Sequence, residues 1–242
     1  MTAIQTIDLT KKFKGRTAVD TLNLTIKKGE LFALLGLNGA GKTTTIKMLC
    51  CLLSPTSGTA VLLGDSIVEQ AVAVKQKINL SPQETAVAPG LSVKENLELI
   101  ARIYGLGKKA ARLKTEETMQ AFGLSARAKD KAKTLSGGLQ RRLSIAMALI
   151  SNPEIIFLDE PTLGLDIVAR RELWKVMNDL KGKITMVLTT HYLEEAVALS
   201  DRIGIMHNGK LKALGTAEEL KQQTGKASFE DAFLAVTEAG VV

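Results

Sequence analysis

The stretch Gly36-Leu37-Asn38-Gly39-Ala40-Gly41-Lys42-Thr43 narrows the possible folds more than any other part of the chain. It fits the phosphate-loop pattern of glycine, four residues, then Gly-Lys-Ser/Thr. Its setting matters as much as its letters. Glu30 to Leu35 is a near-continuous apolar run, as in a strand buried on both faces, and Lys42 to Leu53 is compatible with a helix. A loop between such a strand and helix can wrap a phosphate chain with successive backbone N–H groups, while the helix N-terminus adds positive potential. In that reading Asn38, Gly39, Ala40, Gly41, Lys42, Thr43 and Thr44 face the phosphates. Lys42 reaches the β- and γ-phosphates, and the Thr43 hydroxyl serves Mg²⁺.

Two later segments repeat the buried-strand pattern, Glu154 to Leu158 and Ile184 to Leu188, each followed by polar residues and a helical pattern. Three parallel strands with helices between them predict a doubly wound α/β core. Before it, Ile4 to Ile26 reads as an antiparallel, hairpin-like start turning at Gly15. Between roughly Gln83 and Leu135 strand signals give way to helical ones, Val93 to Ile103 and Ala110 to Phe122, which predicts a helical insertion. Asp201 to Met206 and Lys210 to Leu214 flank Asn208-Gly209, a hairpin signal, and short helices follow from Ala217 and Ser228.

Ile155-Ile156-Phe157-Leu158 ends in Asp159-Glu160. A carboxylate at the carboxyl end of a central strand sits where open α/β sheets bind ligands, so Asp159 suits Mg²⁺ and Glu160 suits polarising a water. Leu135-Ser136-Gly137-Gly138 heads a helix, with serine in the capping position; its exposed N–H groups offer a second anion site, but as a lone motif it reads as a helix cap.

With 242 residues, 45% of them hydrophobic and 24% charged, the chain suits one ordinary domain and excludes a disordered or fibrous polypeptide. Apolar runs are far shorter than the roughly eighteen residues of a membrane-spanning helix. The residues Met1-Thr2-Ala3-Ile4-Gln5 show no leader pattern, so a cytoplasmic location is expected. Cys50 and Cys51 are adjacent, awkward for bridging each other, and read as small core residues. The net charge of +7 suggests an anionic partner, and the excess falls between Lys94 and Arg142, with twelve basic residues against five acids. A solvated helical face and a functional basic surface explain that segment equally well.

The order and spacing of these motifs resemble the ATP-binding subunit of an ATP-binding cassette transporter over nearly the whole chain. The resemblance implies a single ATP-binding domain, residues 1–242. Its phosphate-loop core and antiparallel β portion would take residues 1–82 and 141–242, and an inserted helical subdomain residues 83–140. It implies Gln83 as the glutamine that senses the γ-phosphate and Mg²⁺, Ser136, Gly137 and Gly138 as the signature, and Asp159 and Glu160 as the metal-ligand and catalytic acids. Asp166 would close the loop after Glu160-Pro161-Thr162, and His191 would be the switch histidine. Phe13 would stack on adenine, with Val19 as a further candidate beside it. Departures are modest: Leu139 stands where glutamine is common, Phe13 where tyrosine is common, and the loop before Asp166 reads Leu163-Gly164-Leu165.

Glu160-Pro161-Thr162-Leu163-Gly164-Leu165-Asp166, Tyr192-Leu193-Glu194-Glu195-Ala196 and Ser228-Phe229-Glu230-Asp231-Ala232-Phe233 are similar to the exporter branch that includes drug and antibiotic exporters. The expected function is Mg²⁺-dependent ATP hydrolysis driving a separate transmembrane permease, with the chain peripheral on the inner face of the cell membrane. One loop and one signature per chain imply a dimer with a second copy or a related subunit. A permease helix would dock near Glu84 to Tyr104, with Leu91, Leu97 and Ile100 as candidates for lining its groove. The rival is a cassette ATPase acting on ribosomes or nucleic acid, kept alive by the basic segment. It is disfavoured because such relatives usually carry two cassettes or a long insertion. A regulator without turnover would be expected to lack Glu160 or His191.

Overall fold

A computed structural model describes residues 1–238. Two sheets share one layered α/β body. The first is antiparallel, in the order β2-β1-β4-β5, formed by β1 (Thr2–Phe13), β2 (Arg16–Lys27), β4 (Ser57–Leu62) and β5 (Asp65–Ser66). The second has the order β10-β9-β3-β8-β7-β6, built from β3 (Leu31–Leu35), β6 (Ile78–Ser81), β7 (Ile155–Asp159), β8 (Thr185–Thr190), β9 (Arg202–His207) and β10 (Lys210–Gly215). It is parallel except where β10 turns back on β9.

The apolar run of β3 is explained by its two covered faces. Leu31, Ala33 and Leu35 pack with the helices on one side, whereas Phe32 and Leu34 join Ile4, Leu22 and Ile46 under the antiparallel sheet. Alternate residues of one strand therefore feed two separate cores. The helices are α1 (Lys42–Leu49), α2 (Ala71–Lys77), α3 (Val93–Ile103), α4 (Lys108–Ala121), α5 (Gly137–Leu149), α6 (Ile167–Leu180), α7 (Leu193–Leu199), α8 (Ala217–Thr224) and α9 (Phe229–Glu238). None is long and apolar enough to cross a membrane.

The antiparallel start, the helical insertion and the closing hairpin stand where the sequence places them. Five strands run parallel rather than three, because β6 and β9 join the core sheet. Strand β6 is a four-residue edge whose middle pair is only partly buried, so it lacks the long apolar run that marks its neighbours. The β4–β5 hairpin was equally hidden by its short, half-exposed alternation. Helix α1 stops at Leu49 instead of Leu53: Cys51 turns to a φ of 54°, and the N–H groups of Leu52 and Leu53 return to Lys47 O. Cys50 is buried as expected, but Cys51 is only half-buried, and both are free thiols.

The insertion is anchored by side chains as much as by its apolar face. Ser92 and Glu95 form a capping box at the start of α3. Asn96, fully buried, clasps Ala88 by accepting from its N–H at 2.8 Å and donating to its carbonyl at 3.1 Å. The loop leading out of Gln83 is thereby tied to α3. Within the basic segment, Lys94, Arg112, Lys114, Arg127 and Lys131 each lie beside an acid of the same segment, and Arg142 pairs with Glu172 of α6. This favours the solvated-face reading of that charge.

Candidate functional site

A cleft of about 430 Å³ opens over the β3–α1 loop, lined by Phe13, Arg16, Ala18, residues 38–44, Gln83, Glu160, Leu163 and His191. The loop needs its glycines. Gly41 adopts a φ of 107°, and a Cβ there would lie 2.4 Å from Ala18 O; a Cβ on Gly36 would meet Met206 O at the same distance. The chain can therefore double back tightly into α1, leaving the backbone from Asn38 to Thr43 turned to the cleft.

Lys42 is buried, and its Nζ donates to Gly36 O at 2.7 Å while standing 3.2 Å from Glu160 Oε1. The other oxygen of Glu160 lies 2.8 Å from His191 Nδ1. One carboxylate thus bridges the loop lysine and the histidine that follows β8. Glu160 is also strained, with a φ of 49° in a buried, non-glycine position. Its N–H donates to Thr189 Oγ1 at 3.0 Å and to Thr189 O at 3.2 Å.

Asp159 is buried at the end of β7, and its Oδ1 accepts from Thr43 Oγ1 at 3.1 Å and from Thr189 Oγ1 at 2.5 Å. Hydroxyl and carboxylate oxygens converging beside a phosphate loop, with the Gln83 amide on the same cleft, are hard donors of the kind Mg²⁺ takes. The residues present fit that ion. Phe13 stands half-exposed at the rim, 50% accessible, with Lys11 Nζ 5.3 Å from its ring centre. An exposed aromatic there presents a face on which a base can stack.

The structure gathers Phe13, Asn38, Gly39, Ala40, Gly41, Lys42, Thr43, Thr44, Gln83, Glu160 and His191 around one cleft, with Asp159 beneath it. Val19 does not belong with them. It is fully buried under the loop, its methyl packed toward Gly41, and Ala18 lines the cleft in its place, because side chains alternate along β2. Ser136, Gly137, Gly138 and Asp166 lie outside the cleft of their own chain. Ser136 caps α5 by accepting from Leu139 N, and Asp166 caps α6 by accepting from Ala169 N at 2.8 Å. Gly138 additionally lets α5 approach α6, since a Cβ would come within 2.7 Å of the Ala169 methyl. Leu97, expected to line a docking groove, is fully buried in the core, and Ile100 packs against that core. The exposed apolar side chains of that stretch are Leu99, Ile103 and Tyr104.

Sequence reasoning missed Arg16, Thr189 and Arg141. Arg16 follows the Gly15 turn and donates to Gly39 O at 2.9 Å. Thr189 falls within a strand whose six residues are all buried, and only its contacts distinguish it. Arg141 falls in the basic segment whose sequence reads as a surface, yet it is 4% exposed.

The family profile described as ABC transporter matches residues 19–163 of the chain. The daunorubicin resistance ATP-binding protein DrrA3 of Streptomyces coeruleorubidus is 41% identical over 225 residues, covering 93% of this chain and 71% of that protein. The probable multidrug ABC transporter ATP-binding protein YbhF of Escherichia coli (strain K12) is 42% identical over 224 residues, covering 92% of this chain but only 39% of the longer relative. A solved dimer of an ATP-binding cassette in a post-hydrolysis state, bound to ADP and Pi, superposes with a TM-score of 0.80 at 27% identity, over 88% of this chain and 98% of that one.

Proposed function

The chain belongs to the ABC transporter family, and from that premise we propose that it is the Mg²⁺-dependent ATP-hydrolysing subunit of an exporter. The observation that carries the reading is the placement of Glu160, whose two carboxylate oxygens face Lys42 Nζ and His191 Nδ1 at the phosphate-loop cleft. An acid held in that position can orient a water in line with a terminal phosphate and accept its proton. Lys42, the loop N–H groups and the start of α1 hold the phosphates, and Phe13 carries the base. Thr43, Asp159 and Gln83 would hold Mg²⁺, which when bound neutralises and orients the phosphate oxygens. His191 orients the Glu160 carboxylate through Nδ1 and offers its other ring nitrogen to the cleft.

Ser136, Gly137, Gly138 and Asp166 complete the ATP site of a second subunit in this reading, since they lie outside their own cleft. Residues 83–140 act as the moving helical subdomain, and its exposed Leu99, Ile103 and Tyr104 meet a transmembrane permease. The names of DrrA3 and YbhF, drug resistance and multidrug transport, support export as the direction. The test is phosphate release from MgATP by the purified chain. Glu160→Gln should bind ATP as wild type does, lose at least about 100-fold in turnover, and accumulate as an ATP-held dimer on size exclusion. Wild-type turnover in this variant would remove Glu160 from the chemistry.

A further inference from the structure

Arg141 spends every donor it has on two loops that flank the cleft. Its Nε donates to Pro161 O at 2.9 Å; Nη1 donates to Pro82 O at 2.5 Å and Gln83 O at 3.1 Å; Nη2 donates to Asp159 O at 2.7 Å and Glu160 O at 3.0 Å. Five N–H groups meet five main-chain carbonyls, which is the full capacity of a guanidinium. Among the described residues no carboxylate oxygen lies within ion-pair distance of it. Burial lowers its pKa to about 10, against the pull of Asp159, Glu195 and Glu160, so it remains charged at neutral pH.

A buried cation without a salt-bridge partner is a costly way to attach a helix to a sheet, and an apolar side chain would do that task better. What the guanidinium alone provides is a fixed fork of donors. Strands β6 and β7 pair in register as far as Ser81 opposite Leu158, and a loop follows each strand. Arg141 holds the two loops together just past that point. One contains Gln83, and the other starts at Glu160, directly after Asp159 at the end of β7. The strained Glu160 peptide is therefore pinned on both sides, its N–H by Thr189 and its carbonyl by Arg141. Arg141 itself sits in the second turn of α5, five residues after the Ser136 cap.

We propose that Arg141 is a positioning residue for hydrolysis, one that fixes the Gln83 and Glu160 backbones in a common frame with the helix that begins at Ser136, through five carbonyl contacts. It touches neither nucleotide nor water. A displacement of α5 is passed through the guanidinium to both loops at once. The inference rests on the ATPase reading and concerns turnover, not nucleotide binding, because Arg141 does not line the cleft.

Arg141→Lys keeps the charge but offers one nitrogen with three donors, which cannot span both loops; Arg141→Gln removes the charge and keeps a short amide. Both variants of the full chain are measured for ATP binding by equilibrium dialysis, for steady-state hydrolysis with kcat normalised to ATP-binding sites, and for thermal unfolding. Expected are an ATP Kd within about 3-fold of wild type and a kcat lower by about 100-fold, the usual scale for a misplaced catalytic group. Unchanged kcat per binding site, even with a lowered melting temperature, would reduce Arg141 to a stability role and overturn the proposal. Loss of ATP binding in both variants would overturn it as well. A wild-type chain that binds MgATP without hydrolysing it fails the ATPase reading first, and the proposal with it; a wild type that turns over beside an equally active Arg141→Lys fails the proposal alone.

Discussion

Thr189→Val is the substitution that most directly probes how the acids at the end of β7 are held. Valine keeps the shape and the β preference of threonine at a fully buried strand position, and removes only the hydroxyl. That hydroxyl donates to Asp159 Oδ1 at 2.5 Å and accepts from Glu160 N at 3.0 Å. Glu160 N keeps a second acceptor in Thr189 O, and Asp159 keeps Thr43 at 3.1 Å. The loss that matters is therefore one hydrogen bond to a buried carboxylate, worth about 1.5–3 kcal/mol. For a chain of this size each kcal/mol moves the melting temperature by about 2–4 °C, so a loss near 2 kcal/mol predicts a fall of about 4–8 °C. The same contact aims the carboxylate at the proposed Mg²⁺ position, and losing such a support typically weakens metal affinity by about 10–100-fold. Melting curves without nucleotide and ATPase activity titrated with Mg²⁺ measure the two effects separately. Thr189→Ser, which restores the hydroxyl, should recover most of both. A valine variant with wild-type melting and an unshifted Mg²⁺ curve would refute the reasoning, as would a serine variant no better than valine.

At the phosphate loop, Lys42→Ala should abolish activity and lower nucleotide affinity, whereas Phe13→Ala should weaken ATP binding by about 1–3 kcal/mol, as for a stacked base; equilibrium binding of ATP separates them, and an unchanged Phe13→Ala would return that ring to a packing role. Glu195 is fully buried, donated to by Trp174 Nε1 at 3.2 Å, and burial raises its carboxyl pKa above the ordinary 4.5. A raised acid pKa contributes stability that is complete below the unfolded value and lost as pH rises through the folded one. Glu195→Gln should therefore gain in melting temperature over wild type progressively above about pH 4.5; a gap that stays flat with pH would contradict this. The φ of 49° at Glu160 predicts that Glu160→Gly is more stable than Glu160→Ala, because left-handed backbone costs alanine about 1–2 kcal/mol and the extra chain entropy of glycine about 0.5–1. Equal melting temperatures for the two would mean that the backbone relaxes when the carboxylate is removed.

What could be read from the sequence was whatever a local pattern enforces. The phosphate loop is legible because a tight strand-to-helix turn around a phosphate requires glycine at fixed offsets, and Gly36 and Gly41 occupy positions that no Cβ could share. Asp159 and Glu160 are legible because burial on both faces of β7 forces an uninterrupted apolar run, so the first acids after it stand out. Ser136 announces a helix start by its capping chemistry, and it does cap α5. Edge strand β6 and the β4–β5 hairpin escaped because a short, half-exposed strand imposes no such run.

Arg141, Thr189 and Ala18 escaped for a different reason: what each does is set by partners that the sequence does not place beside it. Ala18 replaces Val19 at the cleft through the parity of β2, and a single-residue error in the face of a strand exchanges core for cleft. Arg141 resembles any basic residue of an exposed helix until α5 is laid across the ends of β6 and β7, where five carbonyls face it. Thr189 and Arg141 then hold opposite sides of one strained peptide, and Lys42 and His191 hold the two oxygens of its side chain. A left-handed glutamate persists only where its surroundings over-determine it, and here four residues from three segments do so. The residue that the local motif names is thus kept in its working conformation by residues that no local motif names, which is why pattern alone locates the acid and only the fold explains its aim.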